Sequence, residues 1–319
     1  MAFSNRKEFL KQVGSLALGV SGISAFPKIP QTPVDLIKPF FTISLAEWSL
    51  HRTIKSGKMT NLDFPVVAKN DYGISVVEYV NGFFMDKATD TKYLNKLQAR
   101  CKDNEVKNHL IMCDDEGPLG DPDDAKRNKA VESHYKWVDA AKYLGCVSIR
   151  VNTYGDGSAD DVQSAAVDGL QKLGEYGAKQ DINVIVENHG GNTSDGSWIE
   201  QLMKRINKPN IGTLPDFGNF CIEYSTGPER KCIKDYDRYD GVSQMMPFAK
   251  GVSAKTRDFD DQGNCIETDY LRMMKIVRDT GFNGYAGIEF EGKNCSEEDG
   301  IKKTKMLLEK VAKDLGTVN

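Results

Sequence analysis

From about residue 40 onward the apolar positions fall into short β-rich runs, each followed by a polar loop and a stretch of helical periodicity. Eight runs predict strands: Phe41–Leu45, Ser75–Tyr79, His109–Met112, Ser148–Val151, Asn183–Glu187, Gly212–Leu214, Gly251–Ala254 and Ala286–Phe290. Helices are expected over Lys87–Cys101, Asp124–Leu144, Asp160–Gln180, Ser194–Ile206, Thr268–Thr280 and Glu297–Leu315. The opening Asp121-Pro122-Asp123-Asp124 places acids at the positive end of a helix dipole. Gly73, Gly145 and Gly281 stand where helices stop before strands, a position that favours the left-handed conformation. Val184-Ile185-Val186 is β-branched throughout and reads as a strand buried on both faces, the type found in a parallel sheet covered by helices. Eight strand–helix units in roughly 280 residues predict an α/β fold, a (β/α)8 TIM barrel. Cys221–Pro247, dense in Tyr, Asp and Lys, departs from the pattern. It is expected to be a long loop on the catalytic face with two short helical pieces at most.

In a barrel the carboxyl ends of the strands converge, and that end carries the chemistry. Strand five ends in Glu187-Asn188-His189; alternation puts Glu187 and His189 on one side and Asn188 on the other. Strand six runs out through Pro215-Asp216-Phe217-Gly218-Asn219. Along strand seven Ser253, Lys255 and Arg257 share a face, and along strand eight Glu289 and Glu291 do. Carboxylates converging from three strands repel one another unless a positive group lies between them, either a divalent metal or Lys255 with Arg257. An oxygen-rich donor set, with or without an imidazole, suits Mn²⁺, Mg²⁺ or Co²⁺. Arg150 on strand four alternates with buried residues and is expected to point into the barrel.

Composition narrows the class. The 319 residues are 39% hydrophobic and 28% charged, with a formal net charge of −4, which gives no electrostatic case for nucleic acid or an anionic membrane. Seven cysteines, an odd number with no C-x-x-C, exclude a zinc ribbon and a thioredoxin motif and predict mostly buried thiols. Near the start, R-K-E-F-L-K precedes a modest apolar run, Val13–Ala25, and then prolines 27, 30, 33 and 39. This is the layout of an export signal. It is similar to a twin-arginine signal with Lys7 at the second arginine. Residues 1–38 are therefore expected to be signal and linker, and residues 39–319 the catalytic barrel, periplasmic or otherwise exported and without a membrane span. A cytoplasmic protein with an amphipathic tail is the alternative.

The segments V-E-N-H at 186–189, D-F-G-N at 216–219 and G-I-E-F-E-G at 287–292 resemble, in order and spacing, the xylose isomerase-like sugar (phosphate) isomerase/epimerase superfamily. The resemblance covers about residues 40–315. It implies one divalent metal held by Glu187, Asp216 and Glu289, with a histidine after strand seven as the fourth ligand. Here S-A-K-T-R stands in place of the family's H-x-K pattern, with Ser253 at the histidine position. The fourth ligand is left open among water, His189, Asp258 and Asp260. The resemblance further implies proton abstraction beside a sugar carbonyl through an enediolate, with Glu187 and Glu289 as base and acid. His189, Lys255, Arg257, Asn219, Glu78 and Trp48 would surround the substrate, a small-molecule carbohydrate. Trp48 could equally pack in the core, and Glu78 could equally be a salt-bridged barrel acid. Asn219 stands where some epimerases carry a histidine. The same carboxylates would serve elimination of an aglycone from 3-keto-glycosides. A non-catalytic carbohydrate-binding barrel is the competing class, favoured by the missing histidine. With only four histidines and no basic stripe, the chain does not fit the superfamily's DNA-repair endonucleases. The sugar, the metal and whether the chain forms a homo-oligomer are left open.

Overall fold

The apolar runs become eight parallel strands in the computed structural model, which describes residues 39–226 and 230–316. The expected signal and linker, 1–38, lie outside the described residues. The strands are β1 (Thr42–Ala46), β2 (Val76–Val80), β3 (Lys107–Met112), β4 (Ser148–Val151), β5 (Asn183–Glu187), β6 (Ile211–Leu214), β9 (Val252–Thr256) and β10 (Tyr285–Phe290), in the order β6-β5-β4-β3-β2-β1-β10-β9. The ring closes where Ser253 N–H donates to the Pro215 carbonyl at 2.9 Å and Phe217 N–H donates to the Ser253 carbonyl at 3.1 Å. The fold is the expected TIM barrel, and the closing bond pair sits beside Asp216.

Helices α1 (His51–Lys55), α2 (Phe64–Tyr72), α3 (Thr91–Asp103), α4 (Asp124–Leu144), α5 (Ala159–Lys179), α6 (Gly196–Ile206), α7 (Arg238–Met245), α8 (Tyr270–Asp279) and α9 (Glu297–Leu315) complete the units. The α4 start follows from the acidic signal: the Asp123 carboxylate accepts from the Ala125 and Lys126 amides, and Gly145 ends the helix at φ 79°. Alternation along the strands separates two cores. Outward residues such as Leu45, Tyr79, Ile111, Ile149 and Val186 pack under the helices. Inward residues Ala46, Val80, Leu110, Met112, Ile185 and Leu214 plug the barrel. Most of the other inward positions are polar: Ser44, Glu78, Arg150, Glu187, Ser253, Lys255 and Glu289 are all buried. Burying that many charges is costly unless they pair. The functional site is built on this arrangement.

Two segments differ from expectation. Helix α2 opens with Phe64-Pro65, Pro being tolerated in a first turn, and is too short for its periodicity to stand out. Cys221–Pro247 is not a loop with helical pieces alone. It holds an antiparallel hairpin, β7 (Cys221–Tyr224) with β8 (Cys232–Asp235), followed by α7. The hairpin strands are polar and largely exposed, so they show no period-two apolar signal. A disulfide between Cys221 and Cys232 holds it, while Cys101, Cys113, Cys146 and Cys265 are the expected buried thiols. Stabilising a hairpin with so little apolar surface calls for such a cross-link.

The loops after β3 and β4 meet through bare backbone. Gly120 N–H donates to the Tyr154 carbonyl at 2.8 Å, and a Cβ on Gly155 would lie 2.1 Å from the Gly120 carbonyl oxygen. Gly155→Ala is expected to cost about 1–3 kcal/mol, the usual range for overpacking. Chemical denaturation measures this; an unchanged midpoint would show that these loops do not touch.

Candidate active site

Three of the eight strands each deliver a carboxylate to a shared cluster at the barrel mouth. Glu187 ends β5, Asp216 follows β6 and Glu289 lies near the end of β10; all three are buried. Each offers an oxygen, and these oxygens lie within 4.8 Å of one another. Asn188, facing the opposite way from Glu187, locks the neighbouring loop. Its amide donates to the carbonyls of Asp216 (2.9 Å) and Asn219 (3.2 Å), and its oxygen accepts from Asp216 N–H at 2.7 Å. Within D-F-G-N, Asp216 Oδ1 accepts from the amides of Gly218 (2.7 Å) and Asn219 (2.8 Å). The motif therefore fixes its own carboxylate and leaves Oδ2 facing inward.

Cations are threaded through this cluster. The Lys255 ammonium lies 3.2 Å from Asp216 Oδ2, 3.2 Å from Glu289 Oε1 and 3.5 Å from Glu291 Oε2. It also donates to Asn219 Oδ1 at 3.2 Å. Burial alone would lower its pKa, but the carboxylates of Asp216, Glu289 and Glu291 outweigh this and hold it well above the usual lysine range. Ser253 Oγ stands 2.9 Å from Asp216 Oδ2 and 2.7 Å from Glu289 Oε2, between the two acids. Arg150 points into the barrel as expected. Its Nη1 donates to Asp114 at 2.6 Å, and its Nε lies 2.8 Å from Glu187 Oε2. That second contact is poorly aligned, so Glu187 Oε2 is left buried without a hydrogen bond. Burial pushes the Glu187 carboxyl well up against the pull of Arg150, and raises Glu289 against the pull of Lys255.

This donor set fits a divalent cation. Glu187, Asp216, Glu289, Asp114 and Glu291 face only Lys255, Arg150 and Arg257, an excess of two carboxylates. The unbonded Glu187 oxygen supplies a free lone pair. The three carboxylates are hard oxygen donors.

The other residues singled out from sequence divide into two groups. Asn219 joins the cluster through Lys255 and through a 3.4 Å contact to Glu187. His189 sits beside it with Nδ1 2.6 Å from the Tyr154 hydroxyl; burial, then Arg150 and Lys255, lower its pKa to about 4. Arg257 reaches Glu291 at 3.2 Å from a half-exposed position. Trp48 donates to Glu291 at 2.7 Å, while its ring stacks on His51 and Phe83 with Lys55 over it. Against burial, Lys255 and Arg257 bring Glu291 down to about 2. Glu78 lies deeper in the barrel, accepting from Ser44 at 2.6 Å. Asp258 is held by Asn294, and Asp260 turns back on its own loop; neither they nor His189 belongs to the three-carboxylate cluster. Sequence reasoning did not select Asp114, Asn152 and Tyr154. Asp114 directly follows the apolar run of β3, the same signal that located Glu187. Asn152 and Tyr154 sit in a loop with no distinguishing pattern.

A family model described as xylose isomerase-like TIM barrel matches residues 67–311, and the chain belongs to that family. No curated protein matches the sequence. Among solved structures, the IOLI protein with a binding zinc atom is 13% identical, with 87% of this chain and 100% of that one covered and a TM-score of 0.66. A sugar phosphate isomerase/epimerase from Parabacteroides distasonis is 15% identical over 88% and 98%, with a TM-score of 0.62. The 3-keto-D-glucoside 4-epimerase from E. coli is 11% identical over 86% and 100%, with a TM-score of 0.60. At such identities these structures confirm the barrel and nothing finer.

Burial raises Glu47, just past the end of β1, to about 8 and Glu78, deeper in the barrel, to about 7, from an ordinary 4.5. In the folded chain both keep a proton that the unfolded chain loses above that value. Folding thus takes up protons, and this part of the stability falls as pH rises from about 4.5 toward 8. Glu78→Gln, which is neutral throughout, is expected to flatten the fall by up to about 1.4 kcal/mol per pH unit below 7. Urea unfolding at a series of pH values measures it; an unchanged slope would mean that Glu78 is ionised in the fold.

Proposed function

We propose that this protein is a divalent-metal-dependent carbohydrate isomerase or epimerase that moves a proton on the carbon beside a carbonyl. One observation carries the reading: Glu187, Asp216 and Glu289 are brought within 4.8 Å of one another, buried, at the active end of a xylose isomerase-like barrel. A divalent cation there, Mn²⁺, Mg²⁺ or Co²⁺ by donor type, would supply positive charge to the substrate oxygens as negative charge develops on them. Glu187 and Glu289 are the pair to take and return the proton, and their buried surroundings make them stronger bases than exposed carboxylates. Asp216, held rigid by Asn188 and its own turn, serves as a ligand and not as a base. Lys255 and Arg150 offset negative charge around the reacting carbon. His189 and Asn219 are placed to bond sugar hydroxyls, Arg257 and Trp48 to flank the ring, and Glu78 to support the cluster from below.

The Cys221–Cys232 disulfide supports export to an oxidising compartment, the reading given to residues 1–38. Among the described residues no helix is long and apolar enough to cross a membrane.

The test is a screen of ketoses, sugar phosphates and 3-keto-glycosides with added Mn²⁺, followed for both isomer formation and aglycone release. On the substrate found, Glu187→Gln and Glu289→Gln are each expected to lower turnover at least about 10²-fold with an unchanged circular dichroism spectrum. A chelator is expected to abolish activity and Mn²⁺ to restore it. Full activity in both variants would overturn the mechanism.

A further inference from the structure

Two cavities of about 550 Å³ each open beside the carboxylate cluster. One is walled by the loops after β3, β4 and β5, the other by those after β1, β9 and β10. In the barrel order, β4 and β10 lie halfway round the ring from each other, so the cavities flank the cluster from opposite sides. Each touches it through a charged relay. On the first side this is Asp114–Arg150–Glu187; on the second it is Glu291–Lys255, which leads to Asp216 and Glu289.

Their linings differ in hydrogen-bonding sense. No Lys or Arg lines the first cavity. Asp115 stands exposed there and, among the described residues, pairs with no cation and accepts no hydrogen bond. His134 Nδ1 is 2.7 Å from the Ala130 carbonyl, an atom that only accepts, so Nδ1 carries the proton and Nε2 is an acceptor. Burial lowers the His134 pKa against the opposing pull of the Ala130 carbonyl and Glu116. Tyr154 adds a half-exposed aromatic face. Asp114 pairs with Arg150 and Glu116 with Lys136, cations that stand outside the lining, so Asp115 leaves this wall net acidic and rich in acceptors, which suits hydroxyl groups and disfavours phosphate or carboxylate. The second cavity carries Arg257 and Lys293 beside Trp48, with Glu291 and Asp258 as counter-charges, so it offers the cationic donors that the first lining lacks. A single sugar ring over the carboxylates can extend into one cavity and leaves the other to a second group.

We propose that the substrate is a two-part carbohydrate, a glycoside or disaccharide. Its neutral hydroxylated ring lies in the cavity beside Tyr154, and its reacting part lies over the carboxylates toward Trp48. This rests on the carbohydrate reading above and names the substrate class within it.

The test offers the Mn²⁺-supplemented enzyme matched sets. One set is fructose, fructose 6-phosphate and glucosyl-fructose disaccharides; the other is 3-keto-glucose and neutral 3-keto-disaccharides. Binding is followed by calorimetry and conversion by product analysis. A neutral disaccharide is expected to exceed its monosaccharide at least tenfold in kcat/KM, with the phosphate ester the poorest. Asp115→Asn removes the charge while tolerating the left-handed backbone at this position, φ 60°. It is expected to shrink the disaccharide's advantage through KM, and a disaccharide-bound crystal structure is expected to show a ring beside Tyr154. Best conversion of a monosaccharide or its phosphate, or a disaccharide advantage that Asp115→Asn leaves intact, would overturn the two-part substrate and leave the sugar chemistry standing. If no sugar binds or is converted, both readings fall together.

Discussion

The Lys255 ammonium is the point on which the mouth of this barrel depends. Three strands end in carboxylates within a few ångströms of one another, out of reach of bulk water. Without an internal cation, their mutual repulsion and desolvation would force protonation or open the strand ends. Lys255 reaches three acids from one position, and Arg150 joins Glu187 to Asp114 on the far side. Removing one partner from a buried pair typically costs 3–5 kcal/mol, far more than exposed pairs elsewhere on the surface contribute. The cluster is therefore part of the fold's stability as well as of its chemistry.

Ser253 belongs to both aspects. Its backbone closes the barrel against Pro215 and Phe217, and its hydroxyl stands between Asp216 and Glu289. A hydroxyl has a single proton to give, so it cannot satisfy both acids at once. It holds the two carboxylates close without neutralising either. Where the resemblance led one to expect an imidazole, this chain has a small neutral group, and the positive charge comes from Lys255 two residues on.

The sequence made the barrel legible because buried parallel strands are apolar and β-branched. Asn183–Glu187 and Ser148–Val151 stand out with their observed bounds, and α4 and α9 are marked by Asp123 and Ser296 at their caps. The three carboxylates were legible because an acid after an apolar run is conspicuous. Asp114 carries that signal too, but its importance comes from Arg150, a partner 36 residues away that only the folded barrel brings near. The β7–β8 hairpin was not legible at all. It is held by a cross-link and by backbone pairing, and neither leaves a hydrophobic pattern.

Asn188 makes the two sides of the mouth unequal. By clamping the β6 loop, it ties Glu187, Asp216 and Asn219 into one rigid block with β9 and β10. The opposite wall, the loop after β3, meets the β4 strand and loop through the Gly120 and Gly155 backbone and through Asp114, which pairs with Arg150 and accepts from Asn152. The exposed side chain at 115 can therefore change without moving a carboxylate. Over evolutionary time, such a scaffold can acquire new substrates on one side while keeping its chemistry on the other.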